Sequence, residues 1–376
     1  MSPPHPALLR VAAGAEAGRI ADEAAFVRST HEHRMVARVL DSHELGEVVL
    51  SPDSITALAI QDLAERQFHL ELWGALERIQ AALQPMGAEV AVLKGIATET
   101  RWYDDIGQRA CTDLDLLLAP RALERAAEVV VTLDPTRGCS AAISDLVPRR
   151  LLQHVDLQYG DVAVDLHFDP LKIGLPTLQL EAVWESTELC DTPHGTIRVL
   201  AAEIELVLLL LHMNKDGFAL LGSFLDIQRL VQRAPLDWDR VRGFVTAEGL
   251  DIPVWKSLRL VDAQVGLGDI EVPSTGGVRA WTWDRLWGRS ILRGEGKDGA
   301  LSVQPLLPLH VAGRSSDNRR ELRRQLAPPR RLLEVAGRLK PGESYLRWLG
   351  IGRVQNRLRP RPGNARQSAE VSSQPE

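Results

Sequence analysis

Two short acid-bearing segments limit what this chain can fold into more than any other feature. In Asp113-Leu114-Asp115-Leu116-Leu117-Leu118 the aspartates stand two apart at the head of an apolar run. Residues i and i+2 of an extended strand point to the same face, so both carboxylates can aim at one divalent cation. Downstream, Val162-Ala163-Val164-Asp165-Leu166-His167-Phe168 has the period-two pattern of a second strand, with Asp165 and His167 on one face. A strand as apolar as Leu114 to Leu118 is not an exposed edge, and a buried carboxylate pair without counter-charge suffers repulsion and desolvation. A cation, or one shared proton, resolves that conflict. Three acids on neighbouring strands would form a hard, oxygen-lined site suited to Mg²⁺ carrying a triphosphate. The alternative is an Asp-x-Asp that merely caps a helix or ends a strand at the surface.

Ahead of the acids lies Val92-Leu93-Lys94-Gly95, with Asp113 eighteen residues after the glycine. Gly95 lets backbone amides approach a phosphate at a helix start, and Lys94 supplies a point charge. On this reading Lys94 grips phosphate and contributes little to stability.

Four motifs recur in a characteristic order. They are Leu93-Lys94-Gly95; Arg101-Trp102-Tyr103; Arg109 four residues before Asp113-Leu114-Asp115-Leu116-Leu117; and Val164-Asp165-Leu166-His167. Over roughly residues 55 to 235 the chain thereby resembles the uncharacterised nucleotidyltransferase family of the DNA polymerase β-like nucleotidyltransferase superfamily. The resemblance implies an α+β fold, a small mixed β-sheet nucleotidyltransferase core with flanking N- and C-terminal helical regions. It also implies a helical cover after the third aspartate, with a histidine near His212 and an aspartate near Asp226. This chain departs from the family pattern in having Lys94-Gly95-Ile96 where Gly-Ser or Gly-Gly is usual, a longer Gly-to-Asp gap, and Asp216 where a second histidine tends to follow His212.

The chemistry so implied is Mg²⁺- or Mn²⁺-dependent transfer of a nucleoside monophosphate from an NTP, with ATP as the default, to an acceptor hydroxyl or phosphate, releasing pyrophosphate. Asp113, Asp115 and Asp165 are the expected catalytic and metal-holding residues, with Asp165 also a candidate general base. Lys94, Gly95, Arg109, Lys215 and Asp226 are the expected nucleotide contacts. A small molecule, a peptide or a sugar phosphate all suit as acceptor. Two other readings stay open: an Asp-x-Asp glycosyltransferase that uses a nucleotide sugar, and a non-catalytic member that binds a nucleotide or partner.

Along the chain, residues 16–84 read mostly as helix, with Ser51-Pro52-Asp53-Ser54 starting the last one and Pro85-Met86-Gly87 stopping it. A short strand at Val90 to Leu93, a helix from Ile96 to Tyr103, a loop to Thr112, a helix from Arg121 to Val131, a hairpin-like region 151–168 and a strand at Ile197 to Leu200 follow. The expected divisions are an N-terminal helical region at 1–84, the core at 85–200, a helical cover at 201–270, a basic helical region at 271–359 and a tail at 360–376. Adjacent Asp104 and Asp105 read as a solvated turn, and clustered Trp281, Trp283 and Trp287 as core rather than an acceptor-binding surface.

Composition adds bounds. With 45% hydrophobic and 25% charged residues, the chain has the balance of a globular protein with a packed core. No apolar run reaches the roughly 20 residues needed to cross a bilayer, and the N-terminus lacks a signal-peptide pattern. Cys111, Cys139 and Cys190 form no Cys-x-x-Cys pair, so a reducing cytoplasm is the expected setting. The net charge of −6 conceals an asymmetry: residues 314–366 carry fifteen Arg or Lys against four acids. That segment reads either as a surface for an anionic partner or as an element that docks on the chain's own acidic body.

Overall fold

The computed structural model describes residues 3–137, 141–147, 152–170 and 180–287. The chain divides into two compact units, Met1–Gln325 and Leu326–Glu376, and the described residues all belong to the first. The basic segment 314–366, the tail 360–376 and Cys139 lie outside the described residues.

Three short helices, α1 (Pro6–Ala12), α2 (Glu23–Glu32) and α3 (Val36–Glu44), precede the long α4 (Pro52–Leu83). The start of α4 follows from its sequence. Ser51 caps it by accepting the Ser54 N–H, and Pro52 occupies a first-turn position where its missing N–H costs nothing. Its end is the 3₁₀ turn Gln84–Met86, closed by Gly87 at φ 60°. The stretch read as mostly helix is also crossed by a two-residue parallel pair, β1 (Gly18–Arg19) with β2 (Val48–Val49). A pairing of two residues has no period for a sequence to display.

The core is a six-stranded mixed sheet of β3 (Val90–Val92), β4 (Leu114–Leu118), β5 (His154–Tyr159), β6 (Val162–His167), β7 (Thr187–Thr192) and β8 (Gly195–Leu200), in the order β5-β6-β4-β3-β8-β7. Every residue of β4 is buried, as a strand flanked by partners and covered on both faces should be. β4 runs antiparallel to β3 and parallel to β6, whose register sets Asp115 beside Asp165 and Leu117 beside His167. The edge strand β7 has no counterpart in the sequence reading: its residues are exposed or half-buried throughout, so no apolar alternation marks it.

Helices α5 (Ile96–Trp102), α6 (Ala126–Leu133), α7 (Ala141–Leu146) and α8 (Leu180–Glu185) lie between the strands. The helix expected from Arg121 is α-helical only from Ala126, because Pro120–Arg125 forms a 3₁₀ segment and Arg125 leaves helical geometry at φ −99°, ψ 11°.

After β8 come α9 (Ala202–Lys215), α10 (Leu221–Arg233), α11 (Trp238–Glu248), α12 (Asp251–Val265) and α13 (Gly277–Trp287). α9 is buried almost all round, from Glu203 to Asn214, because α10, α11 and α12 pack on it. Asn214 joins this layer: its amide donates to Pro253 O at 3.1 Å and to Ser257 Oγ, and its Oδ1 accepts the Trp283 indole at 3.1 Å. Trp283 is therefore core, whereas Trp281 is 59% exposed. No helix among the described residues is long and apolar enough to cross a membrane.

Candidate active site

The site forms where β3, β4 and β6 present their ends to the turn that enters α5. Strand parity puts Asp115, Asp165 and His167 on one face, and the parallel β4–β6 register puts Asp115 and Asp165 shoulder to shoulder. One ligand atom from each of these three lies within 4.8 Å of the others. Asp115 is 1% exposed, and its Oδ1 is 3.0 Å from Nε2 of buried His167. An ionised carboxylate can only accept, so the imidazole donates. The other oxygen, Oδ2, sits 2.6 Å from the Lys94 ammonium.

Lys94 thus occupies the place of a positive charge beside a buried carboxylate. Burial disfavours its charge, yet the carboxylates of Asp115 and Asp113 outweigh that and hold the ammonium pKa above its ordinary value. For Asp115, too, burial favours the neutral acid. Lys94 and His167 prevail, and its pKa falls well below the usual carboxylate range. Lys94 is thus engaged with Asp115, a partner that its reading as a phosphate-gripping turn residue did not include.

Gly95 adopts φ 68°, ψ −120°, a region that side chains avoid. A Cβ there would lie 3.6 Å from Cys111 Sγ, 3.7 Å from Asp113 O and 3.9 Å from Arg109 Nη1, so the turn packs on the loop that leads into β4. Asp113 stands half-buried at the head of that strand, where its Oδ1 accepts from Thr112 Oγ1 at 3.3 Å. It is outside the three-residue donor group but within electrostatic reach of Lys94.

The loop 103–112 is anchored from three sides. Buried Glu99 accepts the backbone N–H groups of Gly107 (2.8 Å) and Arg109 (3.1 Å), while its other oxygen meets His69 Nδ1 at 2.5 Å. Burial opposes the charge on His69, but Cys111 and Glu99 raise its pKa to about 10. Arg109 turns its guanidinium onto Asp226 of α10, with Nε to Oδ1 at 2.9 Å and Nη2 to Oδ2 at 3.0 Å, and the Tyr103 hydroxyl donates to Asp226 Oδ1 at 2.7 Å. Two expected nucleotide contacts are thus each other's partners. Asp104 and Asp105 do form an exposed turn, paired to Arg233 and Arg66, respectively, at 2.7 Å.

Arg101 and Trp102 converge on Glu205 of α9, which is 2% exposed. Arg101 Nη1 donates at 2.8 Å, Trp102 Nε1 at 3.0 Å and Thr98 Oγ1 at 2.6 Å. The Arg-Trp-Tyr motif therefore clamps α5 to the helical cover. Glu205, Glu99 and His69 had no local signal; only their partners, distant in sequence, reveal their duty. His167 did carry one, being two residues from Asp165 in a strand.

The C-terminal turn of α9 carries His212 and Lys215. Lys215 is half-buried there. His212 lies 3.4 Å from Asp216. Although 31% of the His212 side chain reaches solvent, desolvation lowers its pKa to about 3, with Lys94 and Lys215 adding to the shift against Asp216 and Asp115. His212 is therefore within electrostatic reach of the Lys94–Asp115 pair.

A family model described as an uncharacterised nucleotidyltransferase matches residues 21–266. The chain belongs to that family. The match takes in the sheet, the Lys94-Gly95 turn and the helical cover. It also reaches α2 and α3, ahead of the region where the sequence resemblance begins. The crystal structure of an antigenic nucleotidyltransferase-like protein from Paracoccidioides brasiliensis is similar over 52% of this chain and 93% of its own, with 14% identity and a TM-score of 0.31. No curated protein matches the chain. The donor set of this family member suits a divalent cation: carboxylate oxygens accept Mg²⁺ or Mn²⁺, and the imidazole nitrogen is more congenial to Mn²⁺.

Proposed function

We propose that this family member transfers a nucleoside monophosphate from an NTP, ATP by default, to an acceptor hydroxyl or phosphate, with release of pyrophosphate. The observation that carries this reading is the Asp115–Asp165 pair, aligned by parallel register beside His167 and faced by Lys94. Asp115 and Asp165, together with Asp113 at the strand head, are assigned as the residues that hold Mg²⁺ or Mn²⁺. A cation held there neutralises phosphate charge and acidifies the acceptor oxygen.

The remaining roles follow from placement. His167 fixes the Asp115 carboxylate by donating to Oδ1. Lys94 exchanges Asp115 Oδ2 for a phosphate oxygen when the nucleotide arrives, which keeps its charge compensated in both states. Asp165 accepts the acceptor proton. Neutral His212 and Lys215 contact the substrate from the cover, and Arg109 and Asp226 hold the loop that carries Asp113. Since phosphoryl transfer depends chiefly on positioning and charge, this division of labour is sufficient.

The test is turnover of labelled NTPs with candidate acceptors, read as pyrophosphate release. Asp115→Asn should lower it by at least ~100-fold, the scale of removing one electrostatic element from a transition state. Unchanged turnover in that variant would overturn the assignment, and release of nucleoside diphosphate from a nucleotide sugar would replace it with glycosyl transfer.

A further inference from the structure

Beside the acidic centre, between the α2–α3 turn, the loop before β4 and the first turns of α10, lies an open cleft. Its lining includes Arg34, Arg38, Arg109 and Arg229 together with Asp41 and Asp226. Asp226 is taken by Arg109 and Tyr103. The charge that remains is positive.

Two of these arginines lack a close partner, and the third has a loose one. Arg34 and Arg38 are half-buried, yet neither side chain makes a hydrogen bond or an ion pair within 4 Å among the described residues. Arg229 stacks over the Tyr103 ring at 4.4 Å, and its nearest carboxylate oxygen, on Asp104, is 3.7 Å away. Asp41 lies within electrostatic reach of Arg38 and Arg229, and Glu65 within reach of Arg34, without closing an ion pair to them. Half-buried guanidiniums left in this condition prefer an anion that can accept from their forks.

Arg34 also has a left-handed backbone, at φ 58°, which a long side chain rarely adopts. The turn is held there by α10: Gly222 N–H donates to His33 O at 2.9 Å, and a Cβ on Gly222 would come within 3.0 Å of Arg34 O. A left-handed arginine whose guanidinium closes no hydrogen bond or ion pair among the described residues supports a binding role for that group.

The cleft and the acidic centre share Arg109, whose Nη1 lies 3.9 Å from the position of a Gly95 Cβ. From this the geometry points to a recognition site for the acceptor: the cleft binds a phosphomonoester group of the molecule that receives the nucleotide, through Arg34, Arg38 and Arg229, and so presents the acceptor to Asp165. The inference rests on the proposed transfer reaction and narrows its acceptor to a phosphate-bearing molecule. The Ser223 hydroxyl and the Gln108 amide, both at the cleft wall, add neutral hydrogen-bonding groups for the same ligand.

The test uses the full chain, inorganic phosphate as probe, and titration calorimetry. Arg34→Gln with Arg38→Gln should weaken phosphate binding by at least ~10-fold, the scale of one lost charge-assisted hydrogen bond, while Mn²⁺–ATP affinity stays within twofold. Asp115→Asn should do the reverse. Thermal melting of each variant checks that it is folded, and Arg38→Lys, which keeps the charge, should fall between wild type and the double variant. Undiminished phosphate binding in the double variant, or no phosphate binding by wild type, overturns the inference. Equal loss of Mn²⁺–ATP affinity would also overturn it, by making the cleft a triphosphate site. If Asp115→Asn left Mn²⁺–ATP binding intact while the arginine variant lost phosphate, the transfer reading would fail and the phosphate site would stand.

Discussion

Replacing Lys94 by Met tests the central electrostatic argument, because the aliphatic stem remains and only the ammonium is lost. Asp115 is 1% exposed and Lys94 22% exposed. Breaking a fully buried ion pair by deleting one partner costs roughly 3–5 kcal/mol. Partial access of solvent to Lys94, and the surviving bond from His167, lower this to about 2–3 kcal/mol. For a domain of this size that is a fall of about 4–10 °C in Tm. Mn²⁺ should then restore more stability to the variant than it adds to wild type, since in wild type the cation must first displace Lys94 from Oδ2. A cation at a hundredfold excess over its Kd contributes about 2.7 kcal/mol, enough to close the gap. Scanning calorimetry with and without Mn²⁺ measures both effects. An unchanged Tm in metal-free buffer, or an equal Mn²⁺ response in the two proteins, would refute the exchange of ammonium for cation.

Glu205→Ala should destabilise the protein by about 3–5 kcal/mol in urea titration, because Arg101 loses its buried anion and Trp102 and Thr98 lose their acceptor; a loss below about 1 kcal/mol would contradict the clamp. His69 binds its proton more tightly folded (about 10) than unfolded (6.5), so its contribution is complete below pH 6.5 and is lost as pH rises toward 10. The stability gap between wild type and His69→Gln should narrow over that interval, and a constant gap would remove His69 from the charged pair. Gly95→Ala meets no atom closer than 3.6 Å but must hold φ 68°, ψ −120°, so a cost of about 1–3 kcal/mol and weaker ATP binding are expected. A fully active, equally stable alanine variant would show that the turn relaxes freely.

The sequence by itself determined the local features: the capped start of α4 at Ser51-Pro52, the strands around Asp115 and Asp165, and the shared face of Asp165 and His167. Each follows from neighbours within a few residues, since capping, turn chemistry and strand parity are short-range. The order of the four motifs was enough to indicate the family and its mixed sheet. Only the tertiary structure decided which side chains meet. The β4–β6 register places Asp115 beside Asp165, and the β3–α5 turn delivers Lys94 to the same carboxylate. Arg109 finds Asp226 across 117 residues, and Thr98 finds Glu205 across 107. Such partners cannot be read from the chain, because a buried charge specifies only that it must be compensated. The packing of distant elements selects the group that compensates it.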